Sequence, residues 1–596
     1  MSDLFPGERY AALQQKNEAA LALLQRRRRR LGWARLGVFV LTAVVTSVVV
    51  ERAGWTGLLP AVVGLSALLA LVFQDASNND DIAHTRRLIR INAEERAVLR
   101  HDFAVFDEGR LFEPQAHAYA TDLDLFGSAS LYQYINRCRT EEGRQRLASG
   151  LLEPLDPVQV RERQAAVREW APALEWRQRF SALAEVNPVT LATRRHVEAW
   201  LADPEAAYAS PAWSLFIPVY SAVTIGSLAA TLLGYLPPPV FFALFTFYYI
   251  VSLQFSRKAT RPAQLLSGIV KEIGTLQSLA ACLQGPRFSS DLLRNLQSEA
   301  VIAGTNMKGL KALLDRFDLR LNVFAFLVIN SFLLWDVRQV RALNRWRVHN
   351  RDRAPRWFTC IAEAEVINSL CTLHVNNPGW SFPEIAPGPF LLEGSGIGHP
   401  LLPAGQRVTN DFSLAGTPKI GLITGSNMAG KSTILRSLGV NLVLAQLGAP
   451  VCANTFRFSP VALMSSMRVA DNLAENTSTF YAELKKLKTI IDAVNRHENV
   501  FILLDEILRG TNSLDRHTGS AALIRQLVRE DAVAVLATHD VALAGLQSSF
   551  PDAIENYHFD VQVAGEELYF DYRLKPGVCQ SLNASLLMKK IGIRLD

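Results

Sequence analysis

From Ala206 to Ser256 the chain runs 51 residues without an Asp, Glu, Lys, Arg or His. Charged residues make up 20% of the whole, so a run of this length has a chance of about 1 in 10⁵ of arising from average composition. A bilayer crossing needs about 20 apolar residues. The run divides at Gly234–Pro239 (GYLPPP) into Trp213–Leu233 and Val240–Phe255, each long enough to cross. It reads as a transmembrane hairpin, and its length disfavours the other reading, a hairpin buried in a soluble core.

A second apolar pair lies near the N-terminus, at Leu31–Val50 and Ala53–Phe73, separated by Glu51 and Arg52. Arg35 sits near enough to the end of its segment for the guanidinium to snorkel to the headgroups. The Arg26–Arg30 run precedes the first span; Arg86, Arg87 and Arg90 follow the second; Arg257, Lys258 and Arg261 follow the fourth. The positive-inside rule then puts both termini in the cytoplasm, predicting a multi-pass cell-membrane protein whose C-terminal domain is cytoplasmic. About 25 polar residues before the first span argue against a cleaved signal peptide. The stretch Leu321–Trp335 is shorter and contains Asn322 and Asn330. It is read as a buried core helix, because an odd number of crossings would put the C-terminal domain outside the cell. Six cysteines without a CxxC pair support neither a disulfide framework nor a zinc cluster. A net charge of +6 is too small for a polyanion coat.

Residues Gly425, Ser426, Asn427, Met428, Ala429, Gly430, Lys431, Ser432 and Thr433 spell GSNMAGKST between an apolar run, Ile420–Thr424, and a helix-like ILRSLGVNLVLAQLG. This is G-x-x-x-x-G-K-[ST] in its required setting of strand, loop and helix. Glycines let backbone N–H groups close around phosphate oxygens and the helix N-terminus adds positive charge. Lys431 would reach the β/γ-phosphates and the Ser432 hydroxyl would ligate Mg²⁺. Downstream, FILLDE (Phe501–Glu506) is a buried strand ending in two carboxylates. Asp505 is placed to hold Mg²⁺ and Glu506 to orient or deprotonate the attacking water. A third apolar strand, Ala532–Leu536, runs into Ala537-Thr538-His539-Asp540. His539 falls where parallel sheets bind ligands and is read as a γ-phosphate sensor; taken alone, a histidine there serves equally as a cap. Together these segments predict ATP hydrolysis.

These motifs resemble the MutS family of DNA mismatch-repair ATPases, within the wider ABC-type group. GSNMAGKST is similar to its glycine loop, with Ser426 and Ala429 where Pro and Gly are usual. Thr477–Glu483 (TSTFYAE) resembles its signature loop, Asp505–Ser513 (DEILRGTNS) its extended carboxylate motif, and Ala537–His539 its switch histidine. Gly398-His399-Pro400 followed by Asn410-Asp411 resembles the opening of its ATPase domain, and Leu125–Pro154 its helical core. The resemblance implies a homodimer through paired ATPase domains, with Ser478 and Thr479 reaching the partner's γ-phosphate and Asn410 in the nucleotide site. The family's adenine-stacking aromatic has no match; Arg407 is the substitute considered.

No mismatch-reading domain is recognisable in the first 100 residues, and where the family's levers lead to a DNA clamp this chain carries the uncharged run. Binding a duplex requires Lys and Arg to neutralise phosphates. Arg137, Arg139, Arg144 and Arg146 are read as a solvated helical face paired with Glu141 and Glu142. The expected fold is multidomain: a mainly α-helical core and lever region with transmembrane helices, then a C-terminal α/β P-loop (ABC-type) ATPase. The expected boundaries are a leader and first hairpin (1–100), core and outgoing lever (101–205), second hairpin (206–256), returning lever and core (257–385), and ATPase with C-terminal helices (386–596). The expected function is a membrane-anchored MutS-like ATPase, with the lipid bilayer as partner and DNA binding inherited by resemblance. The alternative is a mechanochemical ATPase acting on a membrane or protein partner without DNA.

Overall fold

The computed structural model describes residues 5–203, 208, 210–259, 265, 266, 268–426, 429–467, 479–564 and 567–579. Helices α1 (Pro6–Ala53) and α2 (Leu58–Val98) form a long hairpin around a 3₁₀ turn at Gly54–Gly57. The 48 residues of α1 extend about 72 Å, more than twice the roughly 30 Å of bilayer hydrocarbon. One helix therefore serves two surroundings. Near its start Tyr10 and Leu13 are buried in protein, whereas Phe39, Leu41 and Val44 further along are exposed. The sequence-based break at Glu51 and Arg52 is corrected: both remain helical, and the chain turns at Gly54–Gly57. Arg35 does not reach outward alone, since its guanidinium pairs with Asp75 of α2 at 3.2 Å.

The core is built from α3 (Leu131–Ile135), α4 (Glu141–Leu152), α5 (Pro157–Trp170), α6 (Leu174–Ala184) and α7 (Leu191–Ala202). The second hairpin follows as α8 (Ala212–Leu232) and α9 (Pro238–Ser256). The chain returns through α10 (Val270–Leu283), α11 (Asp291–Phe317), α12 (Val323–Leu333), α13 (Trp335–Asn350) and the almost wholly buried α14 (Ala354–Asn376). Among the described residues α1, α2, α8 and α9 are long and apolar enough to cross a membrane. The predicted levers are short: α7 has 12 residues and α10 has 14. Trp200, Ile217, Ala259 and Ile269 belong to the same buried cluster as the central helices, so the second hairpin rests directly on the core.

Two expectations fail here. Leu321–Trp335 is not a buried helix: Val323 and Phe324 are 72% and 86% exposed, and α12 lies against α8 and α9. It ends at Leu334, in left-handed conformation (φ 47°), where the chain bends by 80° into α13. The arginines of 137–146 are not a solvated face paired with Glu141 and Glu142. Buried Arg137 pairs with Glu95 of α2 at 2.5 Å, Arg139 with Glu94 and Glu185 at 2.9 Å, Arg144 with Asp107 at 3.7 Å, and Arg146 with Glu363. Glu142 instead pairs with Arg194. Partners that lie far along the chain took the place of the local ones.

The C-terminal part is α/β. A small sheet orders β1 (Glu384–Ile385), β5 (Thr455–Phe458), β2 (Leu391–Ile397) and β3 (Asn410–Ala415) side by side. The main sheet runs β10 (Glu567–Pro576), β9 (Ile554–Ala564), β4 (Lys419–Thr424), β8 (Val533–Thr538), β7 (Val500–Asp505), β6 (Ala462–Ser466). All neighbours in it are parallel except the β9–β10 hairpin. Its helices are α15 (Lys431–Gln446), α16 (Thr479–Asn495) and α17 (Ser513–Arg529). The expected C-terminal helices of the ATPase part fall, beyond Cys579, outside the described residues.

Candidate nucleotide site

Register brings the three motifs together. Thr424 at the end of β4 faces Thr538 at the end of β8, and Asp505 at the end of β7 faces Ala537. The glycine loop, the carboxylate pair and His539 thus leave adjacent strands at one carboxyl edge, where parallel sheets bind ligands. Gly430 caps α15 with φ 105°, and a Cβ there would stand 3.3 Å from the Tyr572 ring. Both the conformation and the close approach call for glycine.

Lys431 is buried, and its Nζ donates to the carbonyls of Gly425 (2.8 Å) and Ser426 (2.9 Å). Burial lowers its pKa, while Glu506 and Asp505 act to raise it. Asp505 is 6% exposed and its Oδ1 has no hydrogen-bond partner. Burial raises its pKa, against the hydrogen bond from Ser432 and the charge of Arg509. A buried carboxylate oxygen without a donor, beside a serine hydroxyl, is a donor set suited to a hard divalent cation; the residues fit Mg²⁺. Glu506 is more open. Its N–H donates to Ala537 O (2.9 Å), Arg509 Nε stands 3.4 Å from Oε2, and His539 Nδ1 stands 3.8 Å from Oε1. Arg516 meets the other ring nitrogen of His539 at 3.2 Å. Arg509 is the arginine of the DEILRGTNS motif, whereas Arg516 was not singled out in the sequence, because an arginine on a helix face carries no motif by itself.

Beside Gly430 and Thr433 opens a cavity of about 250 Å³ lined by His399, Val408, Asn410, Ile434, Phe559 and Tyr572. Its place beside the glycine loop makes it the candidate cavity for a base. Asn410 lines it while holding β10, donating to Tyr572 O (3.1 Å) and accepting from Leu574 N (2.7 Å). Arg407 is no stacking platform: its guanidinium is spent on the carbonyls of Leu402 (2.6 Å) and Pro400 (3.3 Å), near the Trp380 ring. The aromatics are Phe559 and Tyr572, from a hairpin that carries no motif. Of the signature residues, Ser478, like Asn427 and Met428 of the glycine loop, lies outside the described residues; Thr479 opens α16. Phe480 packs against Gly510, where a Cβ would come within 2.6 Å of its own. Buried Glu483 accepts a hydrogen bond from Leu508 N, tying α16 to the loop that follows Glu506.

The fold and the site define an α/β nucleotide-binding domain of the P-loop kind. The family model for MutS domain V matches residues 421–588. The chain is 33% identical over 241 residues to the DNA mismatch repair protein MutS of Aquifex pyrophilus, covering 40% of this chain and 28% of that protein. It is 30% identical over 247 residues to MutS of Persephonella marina, covering 41% and 28%. It is 32% identical over 202 residues to the DNA mismatch repair protein MSH6 of Arabidopsis thaliana, covering 32% and 15%. Over this domain the chain is similar to MutS domain V. It spans less than a third of the length of these relatives.

Proposed function

We propose that the chain is a membrane-anchored ATPase that binds Mg²⁺-ATP at the carboxyl edge of the β4–β8–β7 sheet and hydrolyses its β–γ bond. The observation that carries this reading is that Lys431, Asp505, Glu506 and His539 gather at the carboxyl ends of three adjacent strands. The base enters the cavity between His399 and Tyr572, and the phosphates lie along the loop from Gly425 to Thr433. Asp505 and the Ser432 hydroxyl would hold Mg²⁺, which would supply positive charge against the phosphates. Glu506 takes a proton from the attacking water as oxygen bonds to the γ-phosphorus and the bond to ADP breaks; His539 and Arg509 hold its carboxylate. Two copies pair through their ATPase domains, each offering Ser478 and Thr479 to the other's γ-phosphate. The exposed apolar flanks of α1, α2, α8 and α9 support anchoring in the cell membrane with the ATPase in the cytoplasm.

The test is ATP turnover by detergent-solubilised or nanodisc-held protein. Glu506→Gln should keep ATP bound and lose roughly 10²- to 10⁴-fold in rate, the usual share of a positioned base. Lys431→Ala should lose binding itself. Wild-type turnover by Glu506→Gln would overturn the assignment. A second reading, in which ATP drives action on mismatched DNA, is favoured by the mismatch-repair relatives. Duplex, branched and mismatched DNA should then stimulate turnover and bind with a steep salt dependence. Absence of both leaves a membrane or protein partner as the object of the motor.

A further inference from the structure

Residues 118–125 leave the helical core as an irregular loop and enter the ATPase domain. Leu123 is fully buried, and a Cβ on Gly439 of α15 would stand 2.7 Å from its side chain. Asp124 pairs with Arg436, also on α15, at 3.0 Å. Ala118 O accepts from Ser465 N (2.9 Å) at the end of β6. Between them Asp122, 1% exposed, gathers three donors on one carboxylate oxygen: Ser465 Oγ at 2.6 Å, Met467 N at 3.2 Å and Lys486 Nζ at 2.5 Å. Two of these donors close β6 and the third comes from α16, so a single carboxylate of the core fastens two separate elements of the ATPase.

Both elements lead to the reacting edge. Strand β6 pairs with β7, which ends in Asp505. Lys486 lies one turn beyond Glu483, whose carboxylate holds Leu508 N two residues past Glu506. On its other side the loop is tied into the core: Tyr119 OH donates to Leu152 O (2.8 Å) beside α4, and Leu125 O accepts from Tyr132 N (2.9 Å). A few residues on, Arg137 pairs with Glu95 of the first hairpin. Polar contacts joined by short stretches of backbone therefore lead from the loop after Glu506 to α2.

We propose that Asp122 is a positioning residue for ATP hydrolysis and gears the ATPase domain to the helical core. By clamping the end of β6 to α16 it keeps Glu483 on Leu508 N, and through that bond sets the carboxylate of Glu506. The proposal rests on the hydrolysis reading above, and it differs from a plain domain staple in what its loss does. Ser465, Met467 and Lys486, which donate to Asp122, do not line the nucleotide cavity among the described residues, so removing Asp122 should spare binding and slow chemistry.

The test uses the full-length protein in nanodiscs. Lys486→Met leaves Asp122, Ser465 and Met467 in place, and Asp122→Asn keeps the size while removing the charge. Each should lower kcat about tenfold, the scale of one charge-assisted hydrogen bond, with KM for ATP and affinity for a fluorescent ATP analogue within about twofold of wild type. Hydrogen exchange of the 118–125 peptide should change on ATP binding in the wild type and in Glu506→Gln, and should not change in Asp122→Asn. Unchanged kcat in both variants, or KM and kcat moving together with a lowered melting temperature, would overturn the proposal. If the wild type itself fails to hydrolyse ATP, the hydrolysis reading falls. The exchange comparison still decides the coupling: a nucleotide-dependent change at 118–125 that survives Asp122→Asn refutes it.

Discussion

At the scale of single residues, neighbouring groups in the site are set apart by their surroundings. Asp505 is enclosed with one oxygen unsatisfied, whereas Glu506 stands nearer solvent between Arg509 and His539. His399, on the wall of the base cavity, shows the effect of burial on the opposite charge. Burial pushes its imidazole down to about 4, helped by the charges of Arg436 and Arg407. Its Nδ1 accepts from Leu401 N (3.3 Å), which requires that nitrogen to be unprotonated. The unfolded chain, with a histidine near 6.5, binds the extra proton first as pH falls. His399 thus contributes stability that is whole above pH 6.5 and is lost as pH drops towards 4, on the order of 3 kcal/mol. Melting of the ATPase domain between pH 4 and 7.5 should show this slope, and His399→Gln should flatten it. An identical slope in the variant would refute the assignment.

At the scale of elements, α15 offers a contest between two effects of known size. Gly439 lies in mid-helix, where alanine would gain about 1 kcal/mol in helix propensity. Its Cβ, however, would meet Leu123 at 2.7 Å and Leu503 at 2.9 Å, and overpacking a filled core costs about 1–3 kcal/mol. Gly439→Ala should therefore be destabilising by about 1 kcal/mol net, while Gly309→Ala on α11, with nothing within 4 Å of its Cβ, should stabilise by about 0.5–1 kcal/mol. Chemical denaturation of both checks the contrast. The same contrast marks what was legible in the sequence. Strands β4, β7 and β8, the glycine loop and the paired carboxylates could be read because each is written in contiguous residues. The ion pairs could not: Glu363 holds Arg163 and Arg146 from some 200 residues away. Phe559 and Tyr572 were missed for the same reason, since they reach the base cavity only once β9 has paired with β4. The break at Leu334 was hidden too, because an apolar run does not reveal a left-handed residue inside it.

At the scale of the whole molecule, the number of crossings decides on which side the ATPase lies. Helix α12 is apolar and exposed, yet its 11 residues reach only about 16 Å, half the roughly 30 Å of hydrocarbon. The 80° bend at Leu334 prevents α13 from completing the span in line. On the proposed membrane reading α1, α2, α8 and α9 would make four crossings, an even number that would put the arginine-rich segments and the ATPase domain on one side. Labelling with a membrane-impermeant maleimide in intact cells tests this, because among the six native cysteines five are buried and Cys282 is half-buried. Trp55→Cys, in the turn between α1 and α2, and Tyr235→Cys, between α8 and α9, replace side chains 88% and 82% exposed and should label from outside. Val348→Cys on α13, 77% exposed, should label only after permeabilisation. Labelling of position 348 in intact cells, with 55 and 235 silent, would invert the topology and place the nucleotide site where no cytoplasmic ATP could reach it.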